Sequence, residues 1–407
     1  MTTDERLGER PAERPADSPV DRPSSPSREL AREVLVHGPI SRAELAVRLG
    51  LSAASLTRLS RPLLDAGWLV ETDDHVGGAV GRPVRPLDVR VGSAWHVGVK
   101  LTGERAFGVA TDLRAAVLAE ATVDLPGHDP SQVVDAVVEV VGRLAAVVGT
   151  APPDALGVTV GGFVARSRVA VRAPFLGWRD VDLGGLLAAA TGLPVVVEND
   201  VVALVEAEHW FGLGRGLDRF AVVTTGAGVG YGLVVHGRQV RTADTGLGLG
   251  AHVPLDPAGP TCPEGHVGCS TALLSTGSVV ARVGEALGRV VSYDEVLALA
   301  AADEPAARSV VDEAGRALGR LAGLVADLAM VEAVVLGGEG IGLVDVARAA
   351  FDDALASGRD PAATPVRVLV GESTFDVWAR GAAAVAIQSR VGVVGPGHDG
   401  PGVTRPR

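Results

Sequence analysis

The chain has 407 residues, 47% of them apolar, which is enough for two or three domains with real cores. No apolar run reaches the length of a membrane span, the N-terminus lacks the apolar stretch of a secretory signal, and two cysteines make no disulfide framework, so a cytoplasmic protein with no membrane partner is expected. A formal charge of −12 argues against a chain coated in nucleic acid, though not against one small DNA-binding domain, and with Lys100 as the sole lysine no P-loop is available.

Residues 1–27 are rich in Pro, Ser, Arg and acids without apolar period and read as a disordered tail. Residues 28–90 carry a compact helical pattern. "RELAREVLVHG" ends at Gly38-Pro39, "SRAELAVRLG" opens with a Ser41/Glu44 capping box, and "LSAASLTRLSRPLLDAG" starts from Ser52 with Leu56, Leu59 and Leu63 turned inward. Pro62 is expected to kink or restart that third helix. "WLVET" and "RPLDVRV" read as two strands around a turn-rich loop, completing a winged helix-turn-helix.

From residue 91 to 391 strands alternate with helices, the pattern of an α/β body with two lobes and a cleft. "AWHVGVKL", "ERAFGVATDL" and "AVLAEATVDL" are three adjacent strands, followed by a helix. "DALGVTVGG" and "LPVVVEND" are short buried strands, the second feeding the helix "VVALVEAEHWFG". The series recurs with "RFAVVTTGAGVGYGLVV", a long helix from about Ala306 to Met330, and "EAVVLGGEG". Residues 392–407 read as a flexible tail.

On the third helix, the face opposite the leucines carries Ala54, Thr57, Arg58 and Arg61, side chains able to reach DNA phosphates and base edges. Arg82 and Arg85 belong to the wing, where arginine can enter a minor groove. Residues 28–90 hold nine arginines against eight acids, a balance that suits protein contact as well. The acids Glu71, Asp73 and Asp74 cluster away from the helix face, and DNA is the expected partner.

Three further stretches bear chemistry. In "TTGAGVGYG", Gly226, Gly228 and Gly230 would let backbone N–H groups approach a phosphate, although any tight hairpin looks similar. Asn199 and Asp200 stand where a buried strand ends and a helix begins, the usual place for ligand groups in α/β sheets, but read alone they are explained by helix capping. "GLGLGAHVPLDPAGPTCPEGHVGC" holds both cysteines of the chain and two histidines, which raises the question of a metal.

In order and spacing, these motifs together resemble the ROK family of repressors and sugar kinases over about residues 28–390. The resemblance implies a two-lobed actin-like ATPase (ribonuclease H-like) α/β fold behind the winged helix, hence an α+β multidomain chain. It further implies a transcription regulator, most readily a repressor. Its partners would be double-stranded operator DNA with an inverted repeat, bound by a homodimer or dimer of dimers, and a sugar or sugar-derived effector in the cleft. Asn199, Asp200 and His252 are the implied effector residues.

The chain departs from the family at several positions. Where the kinases carry Asp-x-Gly-Gly-Thr for Mg-ATP, this chain reads "VKLTGE", with Lys100, Thr102 and Glu104 in place of Asp, Gly and Thr. That substitution opposes nucleotide binding, so neither ATP nor kinase activity is expected. Phe175, Leu249 and Thr271 replace an Asn and two Glu of the sugar site, which points to an altered effector or to an effector-blind DNA-binding protein. The family's structural zinc uses His and three Cys. His252, Cys262 and Cys269 match three of these, and the fourth falls to Glu264, with His266 two residues on, so zinc held by two Cys, His and either Glu or His is expected. The alternative is a pair of plain thiols left after metal loss.

Overall fold

The protein was analysed as a computed structural model that describes residues 25–72, 85–149 and 151–391. The first unit contains helices α1 (Pro26–His37), α2 (Arg42–Leu49) and α3 (Ala53–Asp65), then an antiparallel hairpin of β1 (Leu69–Glu71) and β2 (Leu87–Val89). Ser25, Ser41 and Ser52 cap the three helices, each side chain accepting the backbone N–H three residues on. Helix α1 begins two residues before the expected boundary, since Ser25 supplies a cap and Pro26 a favourable first position. The capping box is only half made: Glu44 turns its carboxylate to Arg48, at 3.0 and 3.1 Å. Leu30, Val34, Leu35, Leu45, Leu56, Leu63 and Leu69 fill the core, while Leu59 is only partly buried.

The expected break at Pro62 does not occur, and α3 runs through it without interruption. Pro62 removes only the hydrogen bond to the Arg58 carbonyl, and both residues lie on the exposed face, where water replaces it.

The body contains two lobes built alike. In the first, β3 (His96–Leu101), β4 (Arg105–Thr111) and β5 (Val117–Asp124) form an antiparallel meander, followed by α4 (Pro130–Val148) and then β6 (Leu156–Val160). A small sheet of β7 (Phe163–Ala165), β8 (Val169–Ala173) and β9 (Trp178–Val181) leads to α5 (Leu183–Thr191), β10 (Val195–Asn199) and α6 (Asp200–Phe211). The strand order is β10-β6-β3-β4-β5, with β3, β6 and β10 parallel.

The second lobe repeats this topology. Here β11 (Arg219–Thr225), β12 (Val229–Val235) and β13 (Arg238–Gln239) are antiparallel. Helices α7 (Ser270–Leu274), α8 (Thr276–Leu287), α9 (Tyr293–Ala301) and α10 (Pro305–Ala329) precede β14 (Ala333–Gly337). Helices α11 (Leu343–Val346) and α12 (Arg348–Ser357) lead to β15 (Arg367–Val370), giving the order β13-β12-β11-β14-β15. Three antiparallel strands followed by two parallel ones, seen twice, make the two-lobed actin-like arrangement. The last helix, α13 (Phe375–Arg390), crosses back and packs on β3 and β6 of the first lobe. The close approach needs glycine: a Cβ at Gly98 would lie 2.0 Å from the Ala379 carbonyl oxygen, and one at Gly157 1.8 Å from that of Ala382.

The winged helix is docked on this body and shares a core with it. Trp210 at the end of α6, Leu113, Ala115, Ile387 and Val391 pack into the same apolar cluster as α1. Arg32 of α1 lies 5.4 Å over the Trp210 ring and donates to the Gly237 carbonyl at 3.1 Å. Arg28 donates to the Val391 carbonyl at 3.2 Å, and Arg114 to that of Gly38 at 2.9 Å while pairing with Asp88. Among the described residues no helix is long and apolar enough to cross a membrane.

Two outcomes are expected. Gly98→Ala should cost about 1–3 kcal/mol by overpacking and lower the melting temperature; an unchanged value would contradict the close packing of α13. His209 sits at the junction with the winged helix, and burial, reinforced by the charges of Arg32 and His37, pushes its imidazole down to about 4. The unfolded chain therefore takes up this proton first, and the stability that neutral His209 confers is lost as pH falls from its ordinary value of 6.5 towards 4. His209→Gln should lose less melting temperature than the parent on acidification from about pH 7.5 to about 5; an equal loss would rule His209 out as the source.

Candidate functional site

The carboxyl ends of β3, β6 and β10 lie side by side, as parallel pairing requires, and present Lys100, the Gly161-Gly162 turn and Asn199 to one cleft. Asp200 opens α6 beside them. Lys100, almost fully buried, forms an ion pair with Asp200 and lies 5.3 Å over the Trp378 ring. A buried ammonium needs such a partner, and the pairing holds Asp200 away from any role as a free base. Asn199 caps α6 by accepting the Val202 N–H at 3.0 Å and donates to the Gly162 carbonyl at 2.8 Å. The second carboxylate oxygen of Asp200 accepts the Val201 N–H at 2.9 Å. Of the three expected effector residues, Asn199 and Asp200 are brought to one strand end, each already hydrogen-bonded internally, whereas His252 lies in the segment between β13 and α7 with its Nδ1 against the two cysteine sulfurs.

Phe175 covers the same corner: a Cβ at Gly161 would meet its ring at 2.9 Å and the Asp200 carboxylate at 3.3 Å. Thr271 faces inward and donates to the Ala251 carbonyl at 2.5 Å, whereas Leu249 is exposed.

Behind the cleft lies a buried charge cluster that local sequence signals do not reveal. Arg241, from the second lobe, donates to Glu198 at 2.8 Å and lies 4.0 Å from Glu206 of α6. Glu206 also accepts from Gln388 at 2.7 Å. Burial pushes Glu206 above the usual carboxylate range, opposed by Arg241 and Gln388.

The glycine loop joins β11 to β12, and its phosphate-facing backbone is occupied. Glu339, in the turn after β14, accepts the Ala227 N–H at 2.6 Å, and a Cβ at Gly226 would meet its carboxylate at 2.1 Å. An internal anion thus sits where a phosphate would approach. The only hint in the sequence is an acid between Gly338 and Gly340 in "VVLGGEG".

In the segment between β13 and α7, His252 Nδ1 lies 3.7 Å from Cys262 Sγ and 3.6 Å from Cys269 Sγ, and His266 Nδ1 lies 3.5 Å from Cys262 Sγ. Metal–ligand bonds of about 2.0–2.3 Å give tetrahedral edges of roughly 3.3–3.8 Å, so these atoms fit around one ion. The turn that brings Cys262 to His266 closes through the Cys262 N–H, which donates to the His266 carbonyl at 3.0 Å, with Gly265 at a φ of 88°. Burial pushes the Cys269 thiol up, and the adjacent Cys262 sulfur adds to this. The ligand atoms of His252, Cys262 and His266 all lie within 4.8 Å of one another; Cys269, 3.6 Å from His252, and Glu264, exposed beside Cys262, are both outside that group of three.

On α3, Ala54, Thr57, Arg58 and Arg61 share the exposed face. Arg58 has no ion-pair partner among the described residues, and Arg61 is 3.7 Å from Asp65 in an exposed pair that contributes little. The Thr57 hydroxyl donates to Ala53 at 2.9 Å, leaving its acceptor sites open. In the wing, Glu71 is held by Arg42 at 2.6 Å and lies 3.7 Å from Arg85, so its charge is offset. Arg82 lies outside the described residues.

Comparison with known proteins places this geometry. The xylose repressor of Bacillus subtilis is 24% identical over 273 residues, covering 67% of this chain and 71% of the relative. A transcriptional regulator of Mycobacterium tuberculosis is 28% identical over 359 residues, covering 85% and 82%. The crystal structure of a ROK family transcriptional regulator, a homologue of the Escherichia coli MLC protein, superposes with a TM-score of 0.75 at 24% identity over 90% of this chain and 96% of that one. The ROK family profile matches residues 96–389, and the chain belongs to the ROK family.

Proposed function

We propose that this chain is a DNA-binding transcription regulator, a repressor, that responds to a sugar or sugar-derived effector in the interlobe cleft. The observation that carries the reading is the combination of an exposed α3 face, on which Arg58 has no ion-pair partner among the described residues, with a kinase-like body whose nucleotide positions are met by its own side chains. Lys100 places a cation where the kinases hold a magnesium ligand, and Glu339 fills the phosphate loop. Two-fold pairing of such chains would present two recognition helices about one turn of DNA (~34 Å) or a multiple apart, suited to an inverted repeat. Repressor names among the relatives support this reading.

In this scheme Arg58 and Arg61 contact base edges or phosphates, Thr57 and Ala54 face the groove, and Arg82 and Arg85 serve the wing. Asn199, Asp200 and Lys100 line the effector cleft. A structural zinc is held by His252, Cys262, Cys269 and His266, with Glu264 outside the ligand set; when bound it braces the loop beside the cleft and takes no part in chemistry. A second reading, a DNA-binding protein blind to effectors, is favoured by the internal hydrogen bonds of Asn199 and Asp200.

Operator fragments selected from genomic DNA with the full-length protein supply the decisive assay. Arg58→Ala should weaken binding by about 1–3 kcal/mol, and unchanged affinity and salt dependence would reject the α3 face. A coupled assay with ATP and a panel of hexoses should show no phosphoryl transfer; turnover would restore the kinase reading. Protein purified without chelator should carry about one zinc per chain. His266→Ala should lose zinc and Glu264→Gln should keep it, and the reverse pattern would make Glu264 the fourth ligand.

A further inference from the structure

We infer that the ligand of the cleft is a glycoside bearing an aromatic aglycone, with the aglycone lying against Phe175. This rests on the reading of the cleft as a sugar-effector site. The polar groups at the strand ends offer little to a fully hydroxylated sugar. Both ends of the Asn199 amide are engaged, by Val202 and Gly162, and Thr271 donates to its own loop. His252 Nδ1 faces the two cysteine sulfurs.

Several apolar side chains are exposed at this corner, beside the exposed Arg172. Phe175 is 50% exposed although it rests on Gly161 beside the Asp200 carboxylate. From the second lobe, the loop carrying exposed Leu247 and Leu249 reaches the same corner. A Cβ at Gly246 would lie 3.3 Å from that of Asn199 and 3.2 Å from the Gly162 carbonyl oxygen, and the Leu247 carbonyl accepts from Arg172 at 3.5 Å. Tyr231, also exposed, lies under Gly250 at the end of this loop.

One polar pair keeps spare capacity. A carboxylate has about four acceptor positions and an ammonium three donors, and the bonds of Asp200 to Lys100 and Val201 leave some of each free. Two hydroxyls of a pyranose can use them. A ligand with one hydroxylated edge and one apolar body matches that division, as small-molecule sites do when a few polar groups orient an otherwise apolar contact.

Calorimetric titration of the full-length protein with methyl and phenyl glycosides of glucose and xylose, in both anomers, tests the inference. At least one phenyl glycoside should bind about tenfold or more tightly than its methyl counterpart, as burial of a ring against Phe175 requires. Phe175→Ala should erase the difference with only a small fall in melting temperature, because the ring is half exposed. Equal binding of phenyl and methyl glycosides, or a preference that survives in Phe175→Ala, overturns the inference and leaves the sugar-effector reading standing. Absence of binding by every glycoside, while the operator is still bound, overturns both and favours the effector-blind reading.

Discussion

Helix α6 is buried along most of its length yet carries Glu206, Glu208 and His209, and everything around it follows from the need to satisfy those groups. A charge removed from water is tolerated only with a well-placed partner. For Glu198 and Glu206 that partner is Arg241, which comes from the other lobe, and Gln388 of α13 completes the set. Glu208 accepts the Leu213 N–H at 2.7 Å, and burial pushes its carboxyl up as it does that of Glu206. Removing Arg241 would leave buried acids unpaired, so the lobes cannot separate here without cost. The geometry of the cleft is thus set from behind, by an ion pair that touches no ligand.

The same logic, turned to a different end, explains why a kinase-like body need not be a kinase. A phosphotransfer site keeps cation-binding carboxylates and backbone N–H groups free for nucleotide. Here Lys100 supplies a permanent cation to Asp200, and Glu339 supplies a permanent anion to the Ala227 N–H. Each pair supplies from the chain itself a charge of the kind a ligand would have brought, the first buried and the second at the surface. These pairs are made without substrate, which supports the proposed reading of a body used for sensing.

Local chemistry was legible in the sequence; long-range pairing was not. The capping serines Ser41 and Ser52, the glycine C-cap of α2 and the short apolar strands each act within a few residues and stand where the sequence puts them, whereas the Ser25 cap lies in a stretch that reads as a tail. The exposed face of α3 also stands where the sequence puts it, because helical period alone decides it. Pro62 leaves α3 unbroken because the Arg58 carbonyl that it frees lies on the exposed face, which the local sequence does not state. Glu44 misled because Arg48, one turn on, competes for its carboxylate. The ion pairs of Lys100 with Asp200 and of Glu198 with Arg241, like the bond from Ala227 to Glu339, join residues 100, 43 and 112 positions apart. No periodicity marks them. Lys100 and Glu339 could be noticed as misplaced charges, but their partners are set only by the convergence of strand ends from two sheets.

That convergence also gives the winged helix its physical link to the cleft. Helix α6 begins at Asp200 in the cleft and ends at Trp210, under α1. Arg32 of α1 rests on Trp210 of the first lobe while donating to Gly237, in the β12–β13 turn of the second. One guanidinium therefore spans both lobes from the DNA-binding unit. A ligand can shift an equilibrium between lobe arrangements only by binding one of them better than the other. Under the proposed function, the contacts of Arg32 with Trp210 and Gly237 are where such a difference in affinity would reach the N-terminal unit, with no need for the ligand to approach the DNA.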